Sequence, residues 1–191
     1  MKQDIILSGV GGQGILSIAT VIGEAATAAG LTLKQSEVHG MSQRGGDVQS
    51  NLRLSDGEIH SDLIPAGQTD IIISMEPMEA LRYVPCLSRS GVIISSSTPF
   101  QNIPNYPPVE SVLGELDTFP KVVRADIESI AKDLGNPRGA NMVLLGMAAP
   151  FLKILSPDQL RAALCRIFER KGEKIVEMNC KCFDAGCALG K

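Results

Sequence analysis

A glycine-rich turn near the start of the chain carries the clearest chemical signal. Gly9, Gly11 and Gly14 stand at the G-x-G-x-x-G spacing, directly after an apolar run and before a helical pattern. Glycines allow a tight turn whose backbone N–H groups approach a phosphate, while the following helix presents the positive end of its dipole. The turn therefore predicts a phosphate-binding site, although the same glycines also serve close packing of a strand on its helix.

The polar segment at residues 37–46, which follows the glycine turn and its helical pattern, suggests a second group of ligand-binding residues. Glu37 follows the turn by about twenty residues, where a dinucleotide-binding fold carries the acid that binds a ribose. The next loop, residues 38–46, is polar, rich in glycine and longer than that fold requires. Arg44 and the backbone of Gly45 could converge on one phosphate or carboxylate. Alternatively, Arg44 pairs with Asp47 at the surface.

Three further polar residues are candidates for ligand binding. His39 has a titration range suited to a general base, although a histidine is more commonly a hydrogen-bonded structural residue. Residues 135–141 form a polar segment between two helical patterns. Turn chemistry accounts for most of this segment but not for Arg138 and Asn141.

Cysteine usage and missing motifs limit the chemistry that the chain performs alone. The cysteine count is five, an odd number that suits reduced thiols. Cys180, Cys182 and Cys187 form a C-x-C-x4-C pattern without a fourth ligand nearby, so we predict no metal site. The sequence contains neither an iron–sulfur cluster motif nor a G-x4-G-K-[ST] phosphate loop. No catalytic residue is therefore assigned.

Length and charge bound the remaining possibilities. With 191 residues, the chain is predicted to form a single domain over residues 1–191. Its net charge of −3 argues against binding to nucleic acid. The sequence has no export signal at its start and no apolar run that could span a bilayer, so we expect a cytoplasmic protein without membrane contact.

Hydrophobic periodicity predicts the elements that position these residues. Short apolar runs alternate with helical patterns, which is typical of a doubly wound sheet. Asp56-Gly57 predicts a hairpin between residues 47–54 and 58–63. The fold class is therefore α/β, a single, mostly parallel, Rossmann-like sheet with an antiparallel hairpin and C-terminal helices. Predicted strands cover 3–8, 31–37, 70–74, 91–95 and 122–123, and predicted helices cover 14–29, 77–88, 126–134, 139–155 and the residues after Ser156.

Several of these segments together resemble one family. The turn Gly9-Val-Gly-Gly-Gln-Gly14 and residues 36–46, 73–82 and 134–141 are similar to gamma-type subunits and domains of 2-oxoacid:ferredoxin oxidoreductases. Gly12 and Gln13 make the turn more specific than its glycine spacing alone. The long loop at 36–46 is similar to that of the indolepyruvate-type members rather than to the shorter form of the pyruvate enzymes.

The resemblance implies an accessory subunit. Its large partner would carry thiamine diphosphate and iron–sulfur clusters, and the complex would convert aryl 2-oxoacids to acyl-CoA while reducing ferredoxin. This chain would help to form the coenzyme A region, and it could form a homodimer when isolated. The alternatives are a stand-alone NAD-dependent oxidoreductase and a nucleotide-binding module. The candidate cofactor-binding residues are Gly9, Gly11, Gly12, Gln13, Gly14, Glu37, His39, Arg44, Gly45, Arg138 and Asn141.

Overall fold

The computed structural model describes residues 1–40, 45–101 and 103–190. Strands and helices are interspersed along the first two thirds of this part of the chain, with β2, β3 and β4 in succession, and only helices follow. The strands are β1 (Lys2–Val10), β2 (Thr32–His39), β3 (Asp47–Ser55), β4 (Thr69–Ser74), β5 (Leu87–Ser96) and β6 (Val122–Ala125). The α-helices are α1 (Ile15–Ala28), α2 (Pro77–Arg82), α3 (Val109–Leu116), α4 (Ile127–Asp133), α5 (Ala140–Ala148), α6 (Pro157–Phe168) and α7 (Glu173–Leu189).

The strands form one mixed sheet in the order β2-β3-β1-β4-β5-β6. β3 runs antiparallel to both of its neighbours, whereas β1, β4, β5 and β6 pair in parallel. Helices cover both faces, because neighbouring residues of the central strands point to opposite sides. Ile5 and Leu7 pack into the cluster that contains α1 and α5, while Ile6 packs with Ala80 of α2. The predicted fold class is confirmed.

The predicted hairpin partner at residues 58–63 is wrong, because these residues do not form a strand. β3 already pairs with β1 on one side and β2 on the other, so it has no free edge for a third strand. The loop is held by Arg53 of β3, whose guanidinium donates to the carbonyl oxygens of Ser61 (3.0 Å) and Leu63 (2.9 Å). The same guanidinium pairs with the fully buried Asp4 on β1, at 2.9 Å.

Two predicted helices end earlier than expected, in each case near a proline. The helix predicted for 77–88 ends at Arg82 and gives way to a short 3-10 turn that contains Pro85. The helix predicted for 139–155 ends at Ala148, two residues before Pro150. A proline disfavours helical geometry in the residue before it and cannot donate the next helical hydrogen bond.

The C-terminal helix α7, which the periodicity did not reveal, covers α5. Every residue of α5 is buried, so this helix needs apolar contacts on all sides. Its backbone touches that of α7 at two glycines. A Cβ atom on Gly146 would lie 2.0 Å from the carbonyl oxygen of Phe183, and one on Gly186 would lie 2.0 Å from that of Val143. Only glycine fits at either position.

Within the described ranges, none of the helices combines the length and the apolar character that crossing a bilayer demands. The longest of them, α7, is amphipathic rather than apolar throughout. It turns Cys182 and Phe183 inward and exposes Lys181 and Asp184 to solvent.

An alanine at position 146 tests the contact between α5 and α7. Because its methyl group would meet the Phe183 carbonyl, we expect Gly146→Ala to lower the free energy of unfolding by on the order of 2–3 kcal/mol in urea titrations. Gly114→Ala in α3 is the matched control, since a Cβ atom there has nothing within 4 Å. Alanine should stabilise that helix by about 0.5–1 kcal/mol. Shifts of the same sign in both variants would contradict the close approach of the two helices.

Candidate functional site

The glycine turn joins β1 to α1 and contains backbone conformations that only glycine adopts readily. Gly12 has φ +103° and Gly14 has φ +84°, and Gly14 is the N-cap residue of α1. Gly11 is not among the glycines with positive φ. Its N–H instead donates to the carbonyl oxygen of Gly46, at 2.8 Å, so the turn is joined to the end of the loop that follows β2.

Gln13 holds the turn in place. Its Oε1 accepts a hydrogen bond from the N–H of Val10 (2.8 Å), and its Nε2 donates to the carbonyl oxygen of Met75 (3.3 Å). The amide therefore ties the end of β1 to the residue after β4. Both ends of the side chain are used within the protein, so Gln13 positions the turn, whereas the exposed Gly12 faces solvent.

Asn141 brings the start of α5 to the same turn. Its Nδ2 donates to the carbonyl oxygen of Gly14 at 3.1 Å, across 127 positions of sequence. The side chain is almost fully buried, with 9% of its surface exposed. Two of the segments singled out in the sequence, the glycine turn and residues 135–141, thus meet in the structure.

A cleft of about 720 Å³ opens between these two segments and the end of α6. Its lining combines predicted residues with several that sequence reasoning missed, among them two aromatic rings and a second cation. No local motif marks the missed residues, because they come from three separate places: the β5–α3 connection, α4 and the α6–α7 region. The lining includes Gly12, Gly14, Arg138 and Asn141 from the predicted set, and Phe100, Glu128, Phe168, Lys171, Ile175 and Asn179 from outside it.

The charges around the cleft suit an anionic ligand. Arg138 is exposed and has no ion pair within the described part of the chain. The ammonium of Lys171 lies 5.0 Å from the ring centre of Phe168. The first turn of α1 contains no acidic residue, and no side chain caps this helix. Two cations and the positive end of a helix dipole therefore border one cleft.

One carboxyl group lines the same cleft. Glu128 is half-buried, and its Oε2 accepts a hydrogen bond from the hydroxyl of Ser96 at 3.0 Å. Burial raises the pKa of this carboxyl above its ordinary value, because desolvation disfavours the charged form. Glu128 can therefore accept hydrogen bonds from a ligand, and it can also donate one when protonated.

A buried acid holds the segment that carries Phe100. Glu76 caps α2 by accepting from the N–H of Glu79 (2.8 Å), and it also accepts from the N–H of Phe100 (3.3 Å) and from the hydroxyl of Tyr106. Desolvation raises the pKa of Glu76. These bonds fasten the segment between β5 and α3, which we name the strap (residues 97–101 and 103–108), and place Phe100 at the cleft.

Among the other predicted residues, Glu37 does not line the cleft. Glu37 is exposed on the edge strand β2, which β3 separates from β1 by roughly 10 Å. It pairs in register with Ser50, which itself pairs with Leu7, well before the glycine turn. The structure therefore does not place Glu37 at the turn, where the NAD-dependent alternative needs its ribose ligand.

The long loop after β2 is described only in part. His39 is the last residue of β2 and pairs in register with Val48. Gly45 has φ +81°, and Arg44 lies outside the described residues. The bond between Gly11 and Gly46 nevertheless shows that the end of this loop reaches the glycine turn.

Residues 4–189 match the family described as pyruvate ferredoxin/flavodoxin oxidoreductase. The chain belongs to this family. Indolepyruvate oxidoreductase subunit IorB of Methanothermobacter thermautotrophicus is 34% identical, and the alignment covers 97% of this chain and 96% of that relative. The resemblance stated from the sequence motifs is therefore confirmed.

Solved structures of the family share the fold. The gamma subunit of the keto/oxoacid ferredoxin oxidoreductase of Geobacter sulfurreducens is 25% identical and superposes with a TM-score of 0.73, over 100% of this chain and 97% of that one. The 2-oxoglutarate:ferredoxin oxidoreductase of Magnetococcus marinus, solved with 2-oxoglutarate, coenzyme A and succinyl-CoA bound, gives a TM-score of 0.78 at 22% identity. There, 99% of this chain aligns with 31% of the other chain, which shows a shared fold.

A double-mutant cycle tests whether Asn141 supports the turn. In Gly14→Ala the new Cβ atom would lie 2.7 Å from Asn141 Nδ2, and a left-handed alanine costs about 1–2 kcal/mol. Asn141→Ala removes one hydrogen bond, worth about 1 kcal/mol. Because the double variant removes the clash, we expect its loss of unfolding free energy to be smaller than the sum by on the order of 1 kcal/mol.

The matched cycle pairs Gly12→Ala with Asn141→Ala. Gly12 also has positive φ, but a Cβ atom there meets nothing within 4 Å. The two losses should therefore add in urea unfolding experiments. If the losses of unfolding free energy add in both cycles, Asn141 does not support the turn.

Proposed function

We propose that this chain is the small, gamma-type subunit of an indolepyruvate-type 2-oxoacid:ferredoxin oxidoreductase. The complex decarboxylates aryl 2-oxoacids oxidatively to acyl-CoA and reduces ferredoxin, while the large partner holds thiamine diphosphate and the iron–sulfur clusters. The similarity to an indolepyruvate oxidoreductase subunit, 34% identical over 97% of this chain, supports aryl 2-oxoacids as the substrate class. The observation that carries the role of this chain is the cationic cleft beside the glycine turn.

Coenzyme A fits the donor chemistry of this cleft. Its phosphates match the fork of the Arg138 guanidinium, the point charge of Lys171 and the backbone N–H groups of the turn. When bound, coenzyme A supplies the thiol that accepts the acyl group. The residues of this chain bind and orient the phosphate end, and Phe168 and Phe100 offer apolar surfaces to the rest of the molecule.

The proposal also covers partners and location. Two exposed apolar side chains, Leu16 on α1 (40% exposed) and Val38 on β2 (55% exposed), are suited to contact with the large subunit. In the isolated chain the same side chains favour self-association as a homodimer. Ferredoxin is reached through the complex, which we place in the cytoplasm because the cysteines are all free thiols.

The assignment as a subunit predicts the behaviour of the separated chains. The purified chain should be colourless and should not oxidise indolepyruvate with a dye acceptor. Adding the large, thiamine-diphosphate-binding subunit from the same organism should restore turnover, whereas the large subunit alone should give little. Turnover by the small chain alone would overturn the proposal.

The cleft assignment predicts a specific effect on coenzyme A. In the assembled complex, we expect Arg138→Ala to raise the KM for coenzyme A by roughly tenfold to a hundredfold, because a charge-assisted hydrogen bond contributes about 1.5–3 kcal/mol. Arg138→Lys should restore little, since lysine lacks the bidentate fork. Thermal unfolding should be unchanged, because Arg138 is exposed.

Arg89→Ala is the matched control. Arg89 is also exposed, lies on β5 and does not line the cleft. If the KM for coenzyme A is unchanged in Arg138→Ala, or rises equally in Arg89→Ala, the proposal that coenzyme A binds in this cleft is wrong. Arg44 lies outside the described residues, and the anion-binding role proposed from its sequence context predicts that both Arg44→Ala and Arg44→Lys raise the KM for coenzyme A or loosen the complex.

A further inference from the structure

Two thiols touch each other between α6 and α7. The sulfur atoms of Cys165 and Cys180 are 3.4 Å apart, and neither is in a disulfide. A disulfide bond requires the sulfurs to approach to about 2.0 Å, so a small movement of the side chains is enough. The pair lies outside the residues assigned to the proposed coenzyme A site.

One of the two thiols is open to small molecules. Cys165 is half-buried and lines two surface cavities, of about 500 and 290 Å³. Cys180 is 4% exposed and lines the second cavity together with Cys165 and Arg161. Cys165 is therefore the residue that an oxidant reaches first.

Cys182 of α7 takes no part in this contact. Cys182 lies on a different side of the helix, where the side-chain amide of Asn136 donates to its sulfur at 3.7 Å. A separation of two residues turns a helix by about 200°, so Cys180 and Cys182 cannot face the same neighbour. Cys165 therefore contacts Cys180 and not Cys182.

The chain between the two cysteines forms one wall of the cleft. Phe168, Lys171, Ile175 and Asn179 all lie between positions 165 and 180, and all four line the cavity of about 720 Å³. A covalent bond between the ends of this segment would restrict the segment itself. The thiol pair is thus placed to change the wall without entering the cleft.

We propose that Cys165 and Cys180 are a redox-active dithiol, which a peroxide oxidises to a disulfide behind the wall of the cleft. The thiolate of Cys165 attacks one peroxide oxygen, which gives a sulfenic acid and releases one water from hydrogen peroxide. Cys180 then attacks the sulfenic sulfur, the S–S bond forms and a second water leaves. The two thiols lose two electrons, the peroxide gains them, and an external dithiol reverses the bond.

The surroundings fit this order of events. Burial, together with the neighbouring Cys165, raises the pKa of Cys180 to about 11, so Cys180 is protonated at neutral pH and is a poor nucleophile for the first step. In the second step its proton leaves with the water that the sulfenic acid releases. Arg161 opposes this shift, and Asp184, which pairs with Arg161, adds to it. Arg166, Glu169 and Glu173 line the cavity beside Cys165.

Peptide mapping of the full chain tests the pair directly. After treatment with hydrogen peroxide, alkylation and digestion with trypsin, we expect one linked product that joins residues 162–166 to residues 175–181. Free thiols in the denatured protein should fall from the five of the reduced chain by two. Cys165→Ser and Cys180→Ser should each abolish the product, and Cys86→Ser, at another half-buried cysteine, should leave it unchanged.

A second measurement follows the wall. Amide hydrogen exchange over residues 166–179 should slow on oxidation and recover with dithiothreitol in the parent and in Cys86→Ser, but not in Cys180→Ser. Formation of a sulfinic acid on Cys165 without the linked product, or a linked product with unchanged exchange, would overturn the inference.

The effect on ligand binding rests on the proposed function. Oxidation should change the apparent affinity for coenzyme A severalfold in the parent and leave it unchanged in Cys180→Ser. If the reduced parent binds no coenzyme A while the linked product and the slowed exchange are both observed, the proposed function fails and the dithiol stands.

Discussion

The contact between the backbones of α5 and α7 is the constraint on which the cleft depends. α5 is buried on every side, so it is stable only where the sheet covers one side and another helix covers the other. The glycines at 146 and 186 let α7 approach until main-chain atoms touch, and no larger residue permits that distance. The start of α5 contacts the glycine turn through Asn141, and α7 carries Ile175 and Asn179. The contact between the two helices therefore also sets the spacing between two walls of the cleft.

Polar bonds then fix the turn before any ligand arrives. Gln13 joins the turn to the residue after β4, Asn141 joins it to α5, and the N–H of Gly11 joins it to the loop after β2. A site held in this way loses little conformational entropy on binding. The bond from Gly11 also means that a partner in contact with the end of this loop acts on the same turn.

The local part of this architecture could be predicted from the sequence. The first strand, the glycine turn and α1 follow from an apolar run, a spacing of glycines and a helical period. The start of α6 follows from Ser156 and Gln159, which have the spacing of a capping box, and both hydrogen bonds of that box are present. The family followed from motifs of the same local kind.

Contacts between distant parts of the chain were not predictable by the same reasoning. An antiparallel β3 between β1 and β2 moves Glu37 away from the turn, and periodicity carries no information about strand order. α7 was missed because its buried residues are few and include Asn179 and two cysteines rather than an aliphatic stripe. Lys171 and Phe168 enter the cleft only because α6 packs against α1 and α7 packs against α5, which no motif records.

The buried carboxyl group of Glu76 shows how this fold accepts a cost in stability to place a side chain. Its pKa is higher in the folded protein than its ordinary value of 4.5, because burial outweighs three hydrogen bonds from the protein. The folded state therefore holds more protons than the unfolded state as the pH rises above 4.5, and stability falls until the pH has passed the raised pKa. Above the raised pKa that cost is present in full. In return, the ionised carboxylate accepts bonds from α2, Phe100 and Tyr106 at once, and so fixes the strap against the cleft. An apolar residue at this position would avoid the desolvation but leave those donors without an acceptor, and Phe100 would lose its anchor.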